Sequence, residues 1–155
     1  MRDDKNQPAD AGATDALKLE NQLCFALYAA TRAITKSYRD QLGALGLTYP
    51  QYLVLTVLWE TDGLSLTAVG RRLRLDSGTL TPLVKRLETS GLVSRGRRTT
   101  DEREIEIALT PAGRALQAQA VHVRADVVRR LAMSDAEIGH LRAELNSLVA
   151  TLDAE

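Results

Sequence analysis

The chain has 155 residues, with twenty Lys and Arg set against twenty Asp and Glu, so it carries no net charge. Its 45% hydrophobic and 26% charged content is that of a globular chain with enough apolar matter for one core, which excludes a wholly disordered or fibrous protein. No apolar run approaches the roughly 18–20 residues of a membrane helix, no charged-then-apolar leader opens the sequence, and the one cysteine, Cys24, has no intrachain partner for a disulfide, so a reducing cytoplasm is expected.

Residues 1–15 are polar and small, lack periodicity and read as a flexible tail, leaving 16–155 as a single domain. Leu23, Leu27, Ile34 and Tyr38 form one stripe of a first helix that stops near Gly43 and Gly46, with Asp15 and Asn21 both suitable as its N-cap. Thr48, with Pro50 in the first turn, opens a largely buried helix through Leu53, Leu55, Val57, Leu58 and Trp59 that Asp62-Gly63 ends. Ser65 caps a short helix carrying Leu66, Val69 and Leu73. After Arg74-Leu75-Asp76, the spacing of Leu80, Leu83, Val84 and Leu87 predicts another helix. Pro82 requires it to start near Ser77 or Gly78, or to bend, because only about the first four N–H groups of a helix are free of intrahelical bonds. Gly91 is its stop.

The period then changes from 3.6 to 2. A strand runs from Leu92-Val93 to about Thr99, and the strict alternation of Glu104-Ile105-Glu106-Ile107-Ala108-Leu109 gives its partner, with Thr99 to Arg103 at the tip. Thr110-Pro111 starts a long helix with Leu116, Ala120, Val123, Val127 and Leu131. Ser134 and Glu137 make a capping box for a last helix with Ile138, Leu141, Leu145, Leu148, Val149 and Leu152. The expected fold is therefore mainly α with a small β-hairpin wing: a winged helix-turn-helix over about 48–109, flanked by helices over about 19–44 and 110–153.

The zero net charge hides an asymmetry. Between Ser65 and Arg103 lie nine basic residues and four acids, an excess of five that coincides with the winged unit. A basic surface on an otherwise acidic body points to a polyanion, and on this fold to double-stranded DNA. On a helical wheel the side opposite Leu80 holds Gly78, Thr79, Thr81, Pro82, Lys85 and Arg86, a short face suited to a major groove about 12 Å wide. Ser77, Thr79 and Thr81 are expected to meet bases or phosphates, and Lys85 and Arg86 mainly phosphates. Arg97, Arg98 and Arg103 flank the hairpin tip, where an arginine can enter a narrow minor groove, with Asp101 bracing Arg103.

Here the sequence resembles the MarR family of winged-helix regulators, from about Leu19 to the C-terminus; the segment from Asp101 to Thr110 is similar to the family's wing. The resemblance implies a homodimer whose interface is made by the first and the last two helices. The segments from Leu19 to Tyr28 and from Leu47 to Tyr52 resemble the organic hydroperoxide sensor branch of that family. In that branch the cysteine matching Cys24 is the peroxide-reactive thiol, and tyrosines matching Tyr38 and Tyr49 hydrogen-bond it from the other subunit. Some members carry a second, resolving cysteine near the start of the final helix. Here that region, Val127 to Ser134, has none, so an oxidised Cys24 is left to a small cellular thiol, cyclisation or over-oxidation.

The residues support a thiol site independently. A thiol reacts with peroxide as thiolate. A helix starting at Asn21 puts Cys24 at its third position, facing free N–H groups and the positive end of the dipole; a start at Asp15 removes that benefit. Tyr38 lies fourteen residues on, about 21 Å along a continuous helix, so it reaches a partner's Cys24 and not its own. Tyr28, one turn on, and apolar Phe25 and Leu27 are placed to line the same pocket, whereas Tyr28 and Tyr52 also suit plain packing. His122 and His140 are isolated, Gly70 and Gly78 solitary, and no cofactor or metal is expected. The expected function is a cytoplasmic repressor, not an enzyme or a membrane protein, that leaves an inverted-repeat operator when an organic hydroperoxide oxidises Cys24. A regulator released by a non-covalent aromatic ligand and a thiol peroxidase are the alternatives.

Overall fold

In the computed structural model, which describes residues 9–97 and 104–154, five helix starts are set by a side-chain oxygen taking a backbone N–H of the first turn. Thr48 and Gln51 form a full capping box at α3 (Tyr49–Glu60), Ser65 accepts from Ala68 N at 3.1 Å at α4 (Leu66–Leu73), and Asp76 accepts from Thr79 N at 2.8 Å at α5 (Ser77–Thr89). Thr110 caps α6 (Pro111–Ala115), and Ser134 with Glu137 caps α8 (Asp135–Asp153). The Glu137 carboxyl is held below its usual range by the Ser134 N–H and hydroxyl. The expected winged helix-turn-helix is present, with α3, α4 and α5 leading into the strands β2 (Val93–Arg97) and β3 (Ile105–Leu109).

Four features differ from the sequence reading. Residues 9–16 form a helix, α1 (Ala9–Ala16), where a tail is expected; alanine is the best helix former, and Asn21 Nδ2 and Gln22 Nε2 donate to its Asp15 and Ala16 carbonyls at 2.9 and 2.7 Å. Asn21 therefore closes α1 and lies in a 3-10 turn, so α2 (Leu23–Ala44) starts at neither expected cap but after Gln22. The sheet has a third strand, β1 (Leu64–Ser65), giving the order β1-β3-β2 with Leu64 opposite Ile107 and Val93 opposite Leu109. The expected long helix after Pro111 is interrupted for one residue at Leu116, dividing α6 from α7 (Gln117–Arg130). The hairpin tip, with Arg98, Asp101 and Arg103, lies outside the described residues.

The core lies under the winged unit. Leu42 of α2, Leu55 and Leu58 of α3, Leu80 and Leu87 of α5 and Ile107 of β3 are almost wholly shielded, and α2 packs along α7, whose Val123 and Val127 are buried. By contrast α8 buries no residue, and Leu141 and Leu152 are 45% and 62% exposed.

One junction joins the winged unit to the C-terminal helices. The Leu92 carbonyl, just past α5, accepts from Thr110 N at 3.1 Å, and the Thr110 hydroxyl donates to the Gly91 carbonyl at 2.6 Å. The Trp59 indole N–H donates to the Gly113 carbonyl at 2.9 Å. Asp62 Oδ1 accepts from Leu109 N at 2.8 Å, and the same carboxylate pairs with Arg114. A Cβ on Gly113 would stand 2.0 Å from the Leu92 oxygen, so this position admits only glycine. Helix propensity alone gives Gly113→Ala a gain of about 1 kcal/mol, but overpacking reverses it. The variant is expected to lose about 3 kcal/mol of stability, read as a lower urea midpoint at unchanged slope.

Candidate functional site

Two sets of side chains stand out on this fold. The first is α4 and α5 with the turn between them. Gly70 is buried where the turn folds back: Leu75 N donates to the Gly70 carbonyl at 2.9 Å, and a Cβ on Gly70 would lie 2.8 Å from the Leu75 oxygen. Arg74 takes the left-handed conformation that ends α4, and its guanidinium reaches Asp153 of α8 at 2.6 Å. These contacts set how α5 leaves α4.

On α5, Leu80, Val84 and Leu87 are buried and Gly78, Thr79, Pro82, Lys85 and Arg86 are exposed, as the wheel requires. The hydroxyls differ from one another. Thr79 donates to Asp76 Oδ2 at 3.0 Å, and half-buried Thr81 donates to the Ser77 carbonyl at 2.6 Å, so both already have acceptors. Ser77 is exposed, with no hydrogen bond to its hydroxyl among the described residues. The Asp76 carboxyl is held below its usual range by the Thr79 N–H, then by the Thr79 hydroxyl.

The basic residues divide in two. Arg72 pairs with Glu60, Arg74 with Asp153, and Arg95 with Glu88 at 2.7 Å, a bond that holds the Glu88 carboxyl below its usual range. These three brace the fold. Arg71, Lys85 and Arg86 have no ion-pair partner among the described residues and stand in solvent. Arg97 is exposed at the end of β2. Sequence reasoning, counting charge alone, could not make this division.

The second set is Cys24 and the tyrosines. The thiol is exposed, at the second position of α2, one residue nearer the helix end than the expected third position. No side chain caps this end. Tyr38 and Tyr49 come together, ring centroids 5.0 Å apart, and Tyr52 joins them at 5.6 and 6.0 Å. Trp59 stands against Tyr52 at 6.3 Å. Burial, reinforced by Tyr52 and Tyr49, pushes the Tyr38 phenol up to about 12 against an opposing pull from Arg124, and burial raises Tyr49 too. Both therefore remain O–H donors at neutral pH. Tyr28 is separate: it is 58% exposed, its hydroxyl accepts from Arg32 at 3.1 Å, and the guanidinium lies over its ring. Within the chain the structure thus unites Tyr38 of α2 with Tyr49 of α3 but leaves Cys24 about 21 Å back along α2 from Tyr38. Beside Tyr49, Arg32, Lys36 and Arg39 line an open groove of about 780 Å³ with Leu47 as apolar floor. Among the described residues no three His, Cys, Asp or Glu side chains cluster as metal ligands; His140 faces Glu144 at 3.2 Å on one helix.

Over residues 36–119 the sequence matches the family described as transcriptional regulator SarA/Rot. It is 45% identical over 138 residues to the organic hydroperoxide resistance transcriptional regulator of Bacillus subtilis, covering 89% of this chain and 94% of that protein. The chain is a winged-helix transcriptional regulator of the MarR family. Among solved structures this regulator is similar to reduced AbfR of Staphylococcus epidermidis bound to DNA, with TM-score 0.75 and 37% identity over 92% of this chain and 99% of that one. It is also similar to a MarR-family regulator from Rhodococcus, with TM-score 0.76 and 27% identity over 85% and 95% of the two chains. These relatives are regulators, not enzymes. No single helix among the described residues of this MarR-family chain is long and apolar enough to cross a membrane.

The tyrosine cluster gives a pH test. A phenol whose folded value is raised loses fewer protons than its unfolded counterpart near pH 10, so its contribution is complete below about 10 and falls as pH rises towards about 12. Urea stability is expected to drop more steeply between pH 10 and 12 in the wild type than in Tyr38→Phe.

Proposed function

We propose that this protein is a dimeric repressor that binds an inverted-repeat operator while Cys24 is reduced and leaves it when an organic hydroperoxide oxidises that thiol. The observation that carries the reading is an exposed cysteine in the first turn of α2, on the same chain as a winged unit whose outer face presents Lys85 and Arg86 with no ion-pair partner among the described residues. The name of the B. subtilis relative and the DNA-bound state of AbfR point the same way.

In this reading α5 enters the major groove. Ser77, Thr79 and Thr81 face bases or phosphates, and Lys85 and Arg86 hold phosphates. Arg97, with Arg98 and Arg103 of the tip and Asp101 as brace, serves the minor groove. Two copies meet through α2 and the helices after β3, which covers the exposed Leu141 and Leu152 of α8 and brings Leu23 and Phe25 out of water. That arrangement spaces two α5 helices about one turn of DNA apart. It also lets Tyr38 and Tyr49 of one protomer meet the other's Cys24, as donors that favour the thiolate, with Tyr28 lining the approach.

The chemistry is a two-electron displacement. The Cys24 thiolate attacks the terminal oxygen of ROOH; the O–O bond breaks, an S–O bond forms and the alkoxide takes a proton to leave as ROH. The sulfenic acid then condenses with a small cellular thiol, forming an S–S bond and releasing water. Losing the anion removes the tyrosine bonds and shifts the helices that set the spacing of the two α5.

The test is a gel shift on the inverted repeat that the wild type selects from randomised duplexes. Cumene hydroperoxide should release the wild type and leave Cys24→Ser bound; equal release of both would sink the thiol mechanism. Release of Cys24→Ser by a small aromatic acid would favour non-covalent control. Lys85→Ala and Arg86→Ala should weaken specific and random duplexes alike, each lowering the salt slope by about 1.

A further inference from the structure

We infer that the cationic groove beside Tyr49 seats the small thiol that resolves oxidised Cys24, and that it selects a thiol carrying two or more carboxylates. The inference rests on the peroxide-sensing reading, in which Tyr38 and Tyr49 of one protomer meet the other's Cys24. Arg32, Lys36 and Arg39 stand at i, i+4 and i+7 on α2, all exposed, and line the groove together with Leu47, Thr48 and Tyr49. Like charges at this spacing destabilise a helix, and among the described residues no acid lies within ion-pair distance of any of the three. Arg130 of α7 adds a fourth cation in the adjoining hollow, where Asp40 is the acid present.

The neutral polar groups of the groove are committed. The Thr35 hydroxyl donates to the Thr31 carbonyl at 2.8 Å, and Thr48 forms the capping box with Gln51. Arg32 gives one N–H to the Tyr28 hydroxyl at 3.1 Å and keeps the rest of its fork. What the groove has left to offer is charged N–H donors, which suit carboxylates, an arginine fork holding one through two bonds. The outer cations stand about 10 Å apart along α2, so two carboxylates on one molecule bridge them better than one. A volume of about 780 Å³ admits a solute of amino-acid to tripeptide size. The resolving step is the one that gains from this charge. Val127 to Ser134 holds no second cysteine, so resolution depends on an encounter with a solute thiol, whose reactive form is already an anion. In that step the thiolate attacks the sulfenic sulfur of Cys24; an S–S bond forms, the S–O bond breaks, and hydroxide leaves and takes a proton as water. The solute sulfur is oxidised and the Cys24 sulfur reduced to the disulfide level.

The experiment oxidises the full chain with one equivalent of cumene hydroperoxide, counts sulfenic acid by dimedone capture, and follows mixed-disulfide formation by intact mass. The probes are mercaptosuccinate, a dicarboxylate; 2-mercaptoethanol, neutral; and cysteamine, a cation. For each thiol the wild-type rate is divided by that of the Arg32→Gln, Lys36→Gln, Arg39→Gln triple variant, which cancels the thiol's own nucleophilicity. The ratio should be about tenfold for mercaptosuccinate, near unity for 2-mercaptoethanol and below unity for cysteamine. In the wild type alone, added salt should slow mercaptosuccinate and leave 2-mercaptoethanol unchanged, a reading that needs no variant. The inference is overturned if the ratios agree across the probes, or if salt does not slow mercaptosuccinate. Equal ratios with loss of the dimer in the triple variant would also overturn it, and assign the groove to the acidic N-terminal segment of a second copy. Should no probe form a disulfide with Cys24, the peroxide-sensing reading beneath it fails as well.

Discussion

The approach of Gly113 to the Leu92 carbonyl is the constraint from which the rest of the architecture follows. A backbone pressed so close to another leaves no room for a Cβ and fixes where α6 begins relative to the end of α5. Around it, Thr110 bonds both Gly91 and Leu92, Trp59 bonds Gly113, and Asp62 holds Leu109 and Arg114. Elements distant in sequence, the α3 end, the α5 exit, the β3 end and the α6 start, are thereby joined through backbone groups. A shift of the C-terminal helices is passed to the winged unit as a rigid displacement, because close-packed interiors transmit strain rather than absorb it.

The charge pattern separates support from exposure. Exposed ion pairs such as Arg74 with Asp153 add little stability, about 0–1 kcal/mol, but they tie these guanidiniums to carboxylates of the fold. Glu88 turns Arg95 onto the sheet. What remains facing solvent on α5 is Ser77, Gly78 and Thr79 at its start and the cationic flank of Lys85 and Arg86. On another part of the chain, a thiol stands at the start of α2, while Tyr38, towards its far end, packs against Tyr49 of α3, and both phenols are raised. A helix that long keeps them apart within a protomer, so the two halves of the redox site belong to different copies in the proposed dimer.

Local signals were legible in the sequence. Thr48, Ser65, Thr110 and Ser134 cap the helices they were expected to cap, because a capping bond spans three residues and needs no tertiary partner. Of the starts that Pro82 left open for α5, Ser77 is the one taken, and the outward face of Lys85 and Arg86 followed from the helical spacing. Non-local features were not legible. Strand β1 is two residues long and exists only because Leu64 finds Ile107 over forty positions later. Helix α1 has alanines but no apolar stripe to announce it. Gly113 stands early in a helix, where glycine is disfavoured; that anomaly was the available signal of a packing reason. In the candidate site, Cys24, Tyr38 and Tyr49 were marked by spacing and resemblance, whereas the junction of Tyr52 with Trp59 and the cationic groove of Arg32, Lys36 and Arg39 depend on how α2 lies on α3.

The placement of Trp59 has a practical corollary. It is the sole tryptophan of the chain, and its indole N–H is anchored in the joint between reading head and C-terminal helices. Its emission colour and its energy transfer from Tyr52 thus respond to that joint, so the chain carries an intrinsic optical gauge of it, with no label attached.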